Sequence, residues 1–230
     1  MSASAVIAHP VFSIGLTVAC YAGALELHRR WRWIPTIVVA CLPIVVLLLL
    51  VHEPYAIYNR GGNFLTWWLG PATVALAVPM YRNGLALRSS LPRLALIVFI
   101  AATVGMLTAG GTAWLLGAPR TIILSAVPKS VTTPIAIEVC RQLGGIPQIT
   151  IAMVIVAGVL GATFGPLLLG LVGVWENRAV GAAVGSASHG IGTASLVRRS
   201  EMQTTVSSWA MAACGVFTSL LGALLAFFIR

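Results

Sequence analysis

The sequence predicts an all-α integral membrane protein with about eight hydrophobic segments. Its 230 residues are 59% hydrophobic and only 8% charged, whereas soluble domains carry about a quarter charged residues. The apolar residues form runs of roughly 18 to 26, long enough to cross the ~30 Å hydrocarbon core of a lipid bilayer. A soluble enzyme and a secreted disulfide scaffold are therefore excluded, and we expect a single transmembrane domain over residues 1–230.

The segments are apolar runs that end at polar or basic residues. No basic residue precedes Arg29, so the first run lacks the charged start of a cleavable signal peptide and is expected to remain as a span. In chain order, the first four segments cover about residues 11–28 (ending at Arg29), 33–51 (before Glu53), 64–81 (ending at Arg82) and 94–117 (after Arg93). The last four cover about residues 121–140 (between Arg120 and Arg141), 148–174 (before Glu176), 179–197 (between Arg178 and Arg198) and 204–229 (after Glu201).

Two halves of the chain resemble each other, which indicates two structural repeats over about residues 9–117 and 118–230. Ile34-Pro35-Thr36-Ile37 is similar to Ile146-Pro147-Gln148-Ile149, and the stretch from Gly70 to Arg82 is similar to that from Gly185 to Arg198. Internal repeats are common in secondary transporters. The alternative is that any two membrane-spanning stretches look alike by composition.

Three segments contain helix breakers where an ordinary span would hold Leu and Val. They lie at residues 70–79, 128–134 and 185–193. Proline removes a backbone donor and clashes with the preceding turn, and unwound backbone is tolerated in hydrocarbon only where it is buried in protein or lines a wet cavity. We therefore expect the broken helices to meet at a central site. The breakers are Pro71, Pro79, Pro128, Pro134, Gly190 and Gly192.

Lys129 is the main candidate for binding a substrate. It is the only lysine in the chain, and it lies between Pro128 and Pro134 among hydroxyl residues. A cation near open helix N-termini favours a small anion such as a carboxylate. The alternative is that Lys129 reaches towards the lipid headgroups. The other predicted substrate-binding residues are Ser130, Thr132, Thr133, Thr73, Ser188 and His189.

Two residues are candidates for proton coupling, Glu138 and His189. A carboxylate in an apolar segment can take up and release a proton, but Glu138 can equally form a headgroup-level pair with Arg141. His189 can bind the anion when protonated, relay a proton or bond a backbone carbonyl that the neighbouring glycines leave free.

Catalysis, metal binding and nucleic-acid binding have little support. The chain has no Asp and no nucleophile elbow, HExxH or Walker motif, so we expect a protein that is not an enzyme and has no cofactor. Its four cysteines form no cluster with metal-ligand spacing. The net charge of +9 comes mostly from arginines between the apolar runs, where they mark cytoplasmic loops, so no nucleic-acid partner is expected.

The three interrupted stretches resemble the signature segments of the LrgB/CidB family. They are LGPATVALAVPMYRN (69–83), PKSVTTPIAIEVCRQLGGIPQIT (128–150) and GSASHGIGTA (185–194), and the resemblance extends over most of the chain from about residue 53. It implies a multi-pass protein of the bacterial inner membrane, described as antiholin-like and as a modulator of murein hydrolase export and autolysis. It also implies an LrgA/CidA-like membrane partner, and the family is similar to half of a plant plastidial glycolate/glycerate translocator.

Two functions follow as hypotheses. The first is a proton-coupled transporter of small monocarboxylates such as glycolate, glycerate, lactate or pyruvate. The second is an antiholin-like regulator that does not transport and controls its LrgA/CidA-like partner through small-residue helix faces, for example Gly158, Gly161 and Gly165. A homodimer is expected, as is common for small transporters.

Overall fold

The computed structural model describes residues 9–31, 36–68, 71, 74–75, 77–82 and 87–229, and these residues form only helices and their connections. Four helical stretches in this part of the chain are long and apolar enough to cross a membrane, at Pro10–Arg30, Arg88–Leu115, Pro147–Leu171 and Glu201–Ile229. The prediction of an all-α membrane protein is therefore confirmed. The chain divides into two compact units, residues 1–75 and 76–230.

The first unit contains three described helices: α1 (Pro10–Arg30), α2 (Thr36–Val51) and α3 (Tyr55–Trp67). Helix α1 packs against both α2 and α3. The segment predicted at 64–81 starts inside α3, which runs to Trp67, so its predicted start is too early. Residues 69–70, 72–73 and 76 of this segment lie outside the described residues. Hydropathy alone missed this boundary, since α3 mixes polar and aromatic side chains over a short length.

The second unit contains the remaining described helices, and α10 lies at its centre. Helix α10 packs against α9, α5, α7 and α4, while α9 also packs against α8 and α5. The helices are α4 (Ala77–Arg82), α5 (Leu91–Leu115), α6 (Arg120–Ala126), α7 (Thr133–Leu143), α8 (Pro147–Leu171), α9 (Asn177–Leu196) and α10 (Glu201–Ile229), with a 3₁₀ turn (Arg88–Ser90) before α5.

Close backbone packing joins α9 to α10. A Cβ atom added at Gly185 would overlap the carbonyl oxygen of Ser207, and one added at Gly181 would lie 2.6 Å from the carbonyl oxygen of Gln203. Small residues four apart allow two membrane helices to approach in this way. The core beside this hairpin is formed by Val98, Ala102, Val131, Ala136, Val154, Ala210 and Cys214.

Candidate functional site

The first helix break separates α6 from α7, at the place where the prolines predict it. Helix α6 has seven residues and ends at Ala126, and α7 starts at Thr133 with Pro134 in its first turn, where proline is tolerated. Two backbone hydrogen bonds, each between residues three apart, shape the turn between the two helices. They run from Lys129 N to Ala126 O (3.1 Å) and from Val131 N to Pro128 O (3.4 Å). The turn is held inside the protein because Val131 is buried in the core.

Lys129 lies in this turn as a half-buried cation. Its Nζ atom is 3.4 Å from the hydroxyl oxygen of Ser130. Within the described ranges no carboxylate lies within 4.0 Å of Nζ, since the ion pairs there join Arg29 to Glu26 and Arg141 to Glu138. The ammonium group therefore has a hydroxyl neighbour and no counter-ion in this part of the chain.

The N-terminus of α7 begins four residues after Lys129. Thr132 is its N-cap residue, and its side chain forms no capping hydrogen bond. The first N–H groups of a helix need a partner, and together with the helix dipole they favour a negative charge. The hydroxyl residues Thr132 and Thr133 are half-buried at this end. A cation, an uncapped helix start and hydroxyl groups thus lie within five consecutive residues, which is the chemistry of an anion site.

Sequence reasoning missed one residue beside this turn, Gly105 of α5. A Cβ atom added there would lie 3.5 Å from the hydroxyl oxygen of Ser130. Helix α5 therefore approaches the turn at a residue without a side chain. A glycine in a long apolar helix is too common a feature to have indicated this contact in advance.

The second break lies at His189 within α9. His189 has φ 41° and ψ −138°, which is a strained conformation for a residue other than glycine. Its side chain is buried, and its Nε2 atom lies 3.0 Å from the carbonyl oxygen of Val154 in α8. Because a carbonyl oxygen only accepts, Nε2 carries the hydrogen and donates. One ring nitrogen is thus used to hold the backbone, as in the structural alternative considered for this residue.

The two breaks converge on the same part of the core. Val131 of the first break and Val154, whose carbonyl oxygen accepts from His189, belong to one buried cluster. Their convergence agrees with the expectation that broken helices meet. Glu138 lies elsewhere: its carboxylate is 62% exposed and 3.9 Å from Arg141.

The glycine face of α8 is covered by α9 of the same chain. An added Cβ at Gly158 would lie 2.8 Å from the His189 ring, one at Gly161 would overlap the Ser188 side chain, and one at Gly165 would lie 3.5 Å from Val184. Gly158 is therefore buried within this chain, whereas Gly161 and Gly165 are half-buried and also line an open apolar groove between α8 and α9. The three glycines allow the break in α9 to pack closely against α8, and the hypothesis that this face meets a partner stays a prediction.

The other predicted residues of the second break lie on the same helix. Ser188 is buried, and Gly192 packs against Ser188 and Val184, so both have structural contacts. Gly190 is more open, with the Met211 sulfur 3.8 Å from an added Cβ. Of the predicted residues in the 70–79 stretch, Pro71 is exposed and Pro79 lies in α4, while Thr73 is outside the described residues.

A buried pair of hydroxyl groups connects the second break to α10. The hydroxyl of Thr193 donates to the His189 carbonyl oxygen (2.8 Å) and lies 2.8 Å from the hydroxyl of Ser207, so Ser207 donates to Thr193. Sequence reasoning missed this pair. The signal available was the hydroxyl-rich run Thr204-Thr205-Val206-Ser207-Ser208 inside an apolar segment.

Comparison with known proteins places most of the chain in one family. A model of the LrgB-like family matches residues 17–228. The chain is 35% identical over 218 residues to the Bacillus subtilis protein YxaC, covering 93% of this chain and 94% of the relative. It is 36% identical over 208 residues to a Haemophilus influenzae protein, covering 90% of each chain. It is 27% identical over 213 residues to the holin-like protein CidB of Staphylococcus epidermidis, covering 92% of this chain and 93% of the relative. No solved structure matches the chain.

Proposed function

The chain belongs to the LrgB-like family, and we propose that this protein carries small monocarboxylates, such as glycolate, glycerate, lactate or pyruvate, across the bacterial inner membrane. The observation that carries the proposal is the half-buried Lys129, which has no carboxylate beside it in the described part of the chain. A cation that is kept partly out of water without a counter-ion is costly unless an anion binds to it.

The substrate carboxylate binds at the turn between α6 and α7. One carboxylate oxygen accepts a hydrogen bond from the Lys129 ammonium, and the other accepts from the first N–H groups of α7. Hydroxyl groups of Ser130, Thr132 and Thr133 are close enough in the chain to serve the carboxylate or a substrate hydroxyl. The short connectors of the chain leave little room for a binding site outside the helices.

The protein works by alternating access around the two breaks. The turn that holds Lys129 and the break at His189 meet at one core cluster, so a movement of either break changes the packing of the other. Transporters commonly place their substrates between discontinuous helices of two repeats. The proposed repeats, over residues 9–117 and 118–230, provide the two groups of helices that move against each other.

Proton coupling is assigned to His189 in preference to Glu138. The His189 ring is buried and its Nδ1 atom is free to accept a proton when Nε2 donates to Val154, whereas Glu138 is exposed beside Arg141. Glu138→Gln should therefore retain stimulation of uptake by an inward proton gradient, and His189→Gln should lose it. Loss of the stimulation in Glu138→Gln alone would transfer the role to the carboxylate.

The test of the substrate site is uptake of labelled glycolate and pyruvate into liposomes that contain the purified protein. Lys129→Gln removes the charge and leaves a polar side chain that is one bond shorter, while Arg141→Gln removes an exposed cation as the matched control. A charge pair at 4 Å contributes about 4 kcal/mol at an effective dielectric constant of 20 and about 1 kcal/mol in water. We expect a loss of about 10- to 100-fold in uptake for a half-buried cation, with Arg141→Gln close to the wild type. Undiminished uptake by Lys129→Gln would refute the site.

A second candidate function is an antiholin-like regulator that acts with an LrgA/CidA-like membrane protein. The observation in its favour is that relatives matched over 90% or more of this chain are named holin-like protein CidB. Co-expression with such a partner distinguishes the two functions. A regulator should co-purify with the partner and show no uptake, either alone or with the partner, and Lys129→Gln should not affect its binding to the partner. A carrier should take up the labelled substrates, and we expect it to form a homodimer.

A further inference from the structure

Helix α3 presents one face to α1. Tyr58 and Gly61 are buried there, and a Cβ atom added at Gly61 would lie 2.7 Å from Cβ of Ser13. The hydroxyl oxygens of Tyr58 and Thr17 lie 2.6 Å apart and form a hydrogen bond. These contacts fasten α3 to its neighbour in the first unit.

A second face of α3 is polar. Tyr55, Asn59 and Asn63 are four residues apart and therefore lie above one another on one side of the helix. The Tyr55 hydroxyl donates to Asn59 Oδ1 (3.2 Å), and Asn59 Nδ2 donates to Asn63 Oδ1 (3.2 Å). The amide groups in this row have further donors and acceptors, which can form hydrogen bonds with water or with lipid headgroups.

A third face is aromatic and exposed. Phe64 is 58% exposed and Trp67 is 68% exposed, and both lie on the side of the helix where Arg60 also projects, at spacings of four and three residues. Arg60 is the charged residue of this helix, which contains no Asp or Glu. Trp and Phe side chains beside a cation are typical of the level of the lipid headgroups.

The position of α3 along α1 agrees with a place at the membrane surface. The contacts between α1 and α3 include those of Pro10, Ser13 and Thr17, which belong to the first eight residues of a helix long enough to span. The ends of a spanning helix lie at the two surfaces of the bilayer. Thirteen residues of α3 extend for about 20 Å, which is too short to cross ~30 Å of hydrocarbon.

We propose that α3 lies in the membrane–water boundary, at the surface where α1 begins, and binds a lipid surface that contains anionic headgroups. Phe64 and Trp67 point into the upper acyl chains, and Asn59 and Asn63 contact headgroups and water. The Arg60 guanidinium binds the headgroup of an anionic lipid. This inference concerns a surface of the first unit and is independent of the proposed transport of carboxylates.

The test is the depth of single spin labels on α3 in the full-length protein. Cys20 and Cys41 are replaced by Ala, while Cys140 and Cys214 stay because both are buried and shielded from the label. One cysteine at a time is then introduced at Asn59, Asn63, Phe64 or Trp67, all positions outside the packed face. The labelled protein is placed in vesicles of phosphatidylethanolamine and phosphatidylglycerol, and collisions with oxygen and with a water-soluble nickel chelate are measured.

We expect labels at Phe64 and Trp67 to collide mainly with oxygen and labels at Asn59 and Asn63 mainly with the nickel chelate. Four labels with the same accessibility, or immobile labels at Phe64 and Trp67 that neither reagent reaches, would overturn the proposal. Replacing phosphatidylglycerol by phosphatidylcholine should change the depth of the Phe64 label in the presence of Arg60 and leave it unchanged in Arg60→Gln. A change that persists in Arg60→Gln would refute the contact between Arg60 and anionic headgroups.

Discussion

The packing of α9 on α10 makes a quantitative prediction for Gly185→Ala. The added methyl group would overlap the Ser207 carbonyl oxygen and lie 2.8 Å from the Ser207 Cα atom. These are backbone atoms of a neighbouring helix, so the helices must move apart. Overpacking of this kind costs about 1 to 3 kcal/mol, and the better helix propensity of Ala offsets about 1 kcal/mol of it. A net loss of up to about 2 kcal/mol relative to the wild type is expected, and a loss of about 1 to 3 kcal/mol relative to a glycine-to-alanine substitution without overlap.

Thermal unfolding in detergent, followed by the remaining monodisperse fraction, measures this loss. At about 2 to 4 °C per kcal/mol for a chain of this size, Gly185→Ala should lower the Tm by up to roughly 8 °C from the wild type and by roughly 2 to 12 °C from the control variant. Gly111→Ala in α5 is the matched control, because no atom lies within 4 Å of the Cβ it adds. The control should raise the Tm slightly. A Tm for Gly185→Ala equal to that of Gly111→Ala would show that the two backbones are not in contact.

The remaining predictions concern hydrogen bonds between helices. Ser207→Ala removes the hydrogen bond to Thr193 and should lower the free energy of unfolding by about 1 to 3 kcal/mol. Ser208→Ala removes only a hydrogen bond within α10 and should lower it by less than half as much. Equal losses in Tm would contradict the assignment of the bond between helices. Arg120→Gln removes the hydrogen bond from Arg120 Nη2 to the Ile229 carbonyl oxygen (2.8 Å). Amide hydrogen exchange should become faster in the last turn of α10 and stay unchanged in the rest of the helix. Unchanged exchange in the last turn would show that the bond does not form.

The spans and the breaks could be predicted because their causes are local. Four of the long apolar runs are single helices, since length and hydropathy are sufficient to indicate them. The break between α6 and α7 follows from the chemistry of Pro128 and Pro134 alone. The start of the third segment was predicted too early because hydropathy does not separate the end of a short amphipathic helix from the start of a span, and α3 is such a helix.

The contacts of the candidate site depend on residues that are far apart in the chain. Nothing around Gly158 indicates that the His189 ring packs on it, and Thr193 and Ser207 belong to different helices. Lys129 could be identified because it is the only lysine, but its missing counter-ion depends on where every carboxylate lies. Local patterns therefore locate such a site, and tertiary packing decides which side chains complete it.

The central place of α10 also has a consequence for biosynthesis. It leaves the ribosome after α4, α5, α7 and α9, yet all four pack against it. These four helices must therefore enter the membrane and wait there without their common partner, with the small and hydroxyl residues that will face α10 still in lipid. A chain that stops before residue 201 should persist as separate inserted helices and become a substrate for membrane proteases.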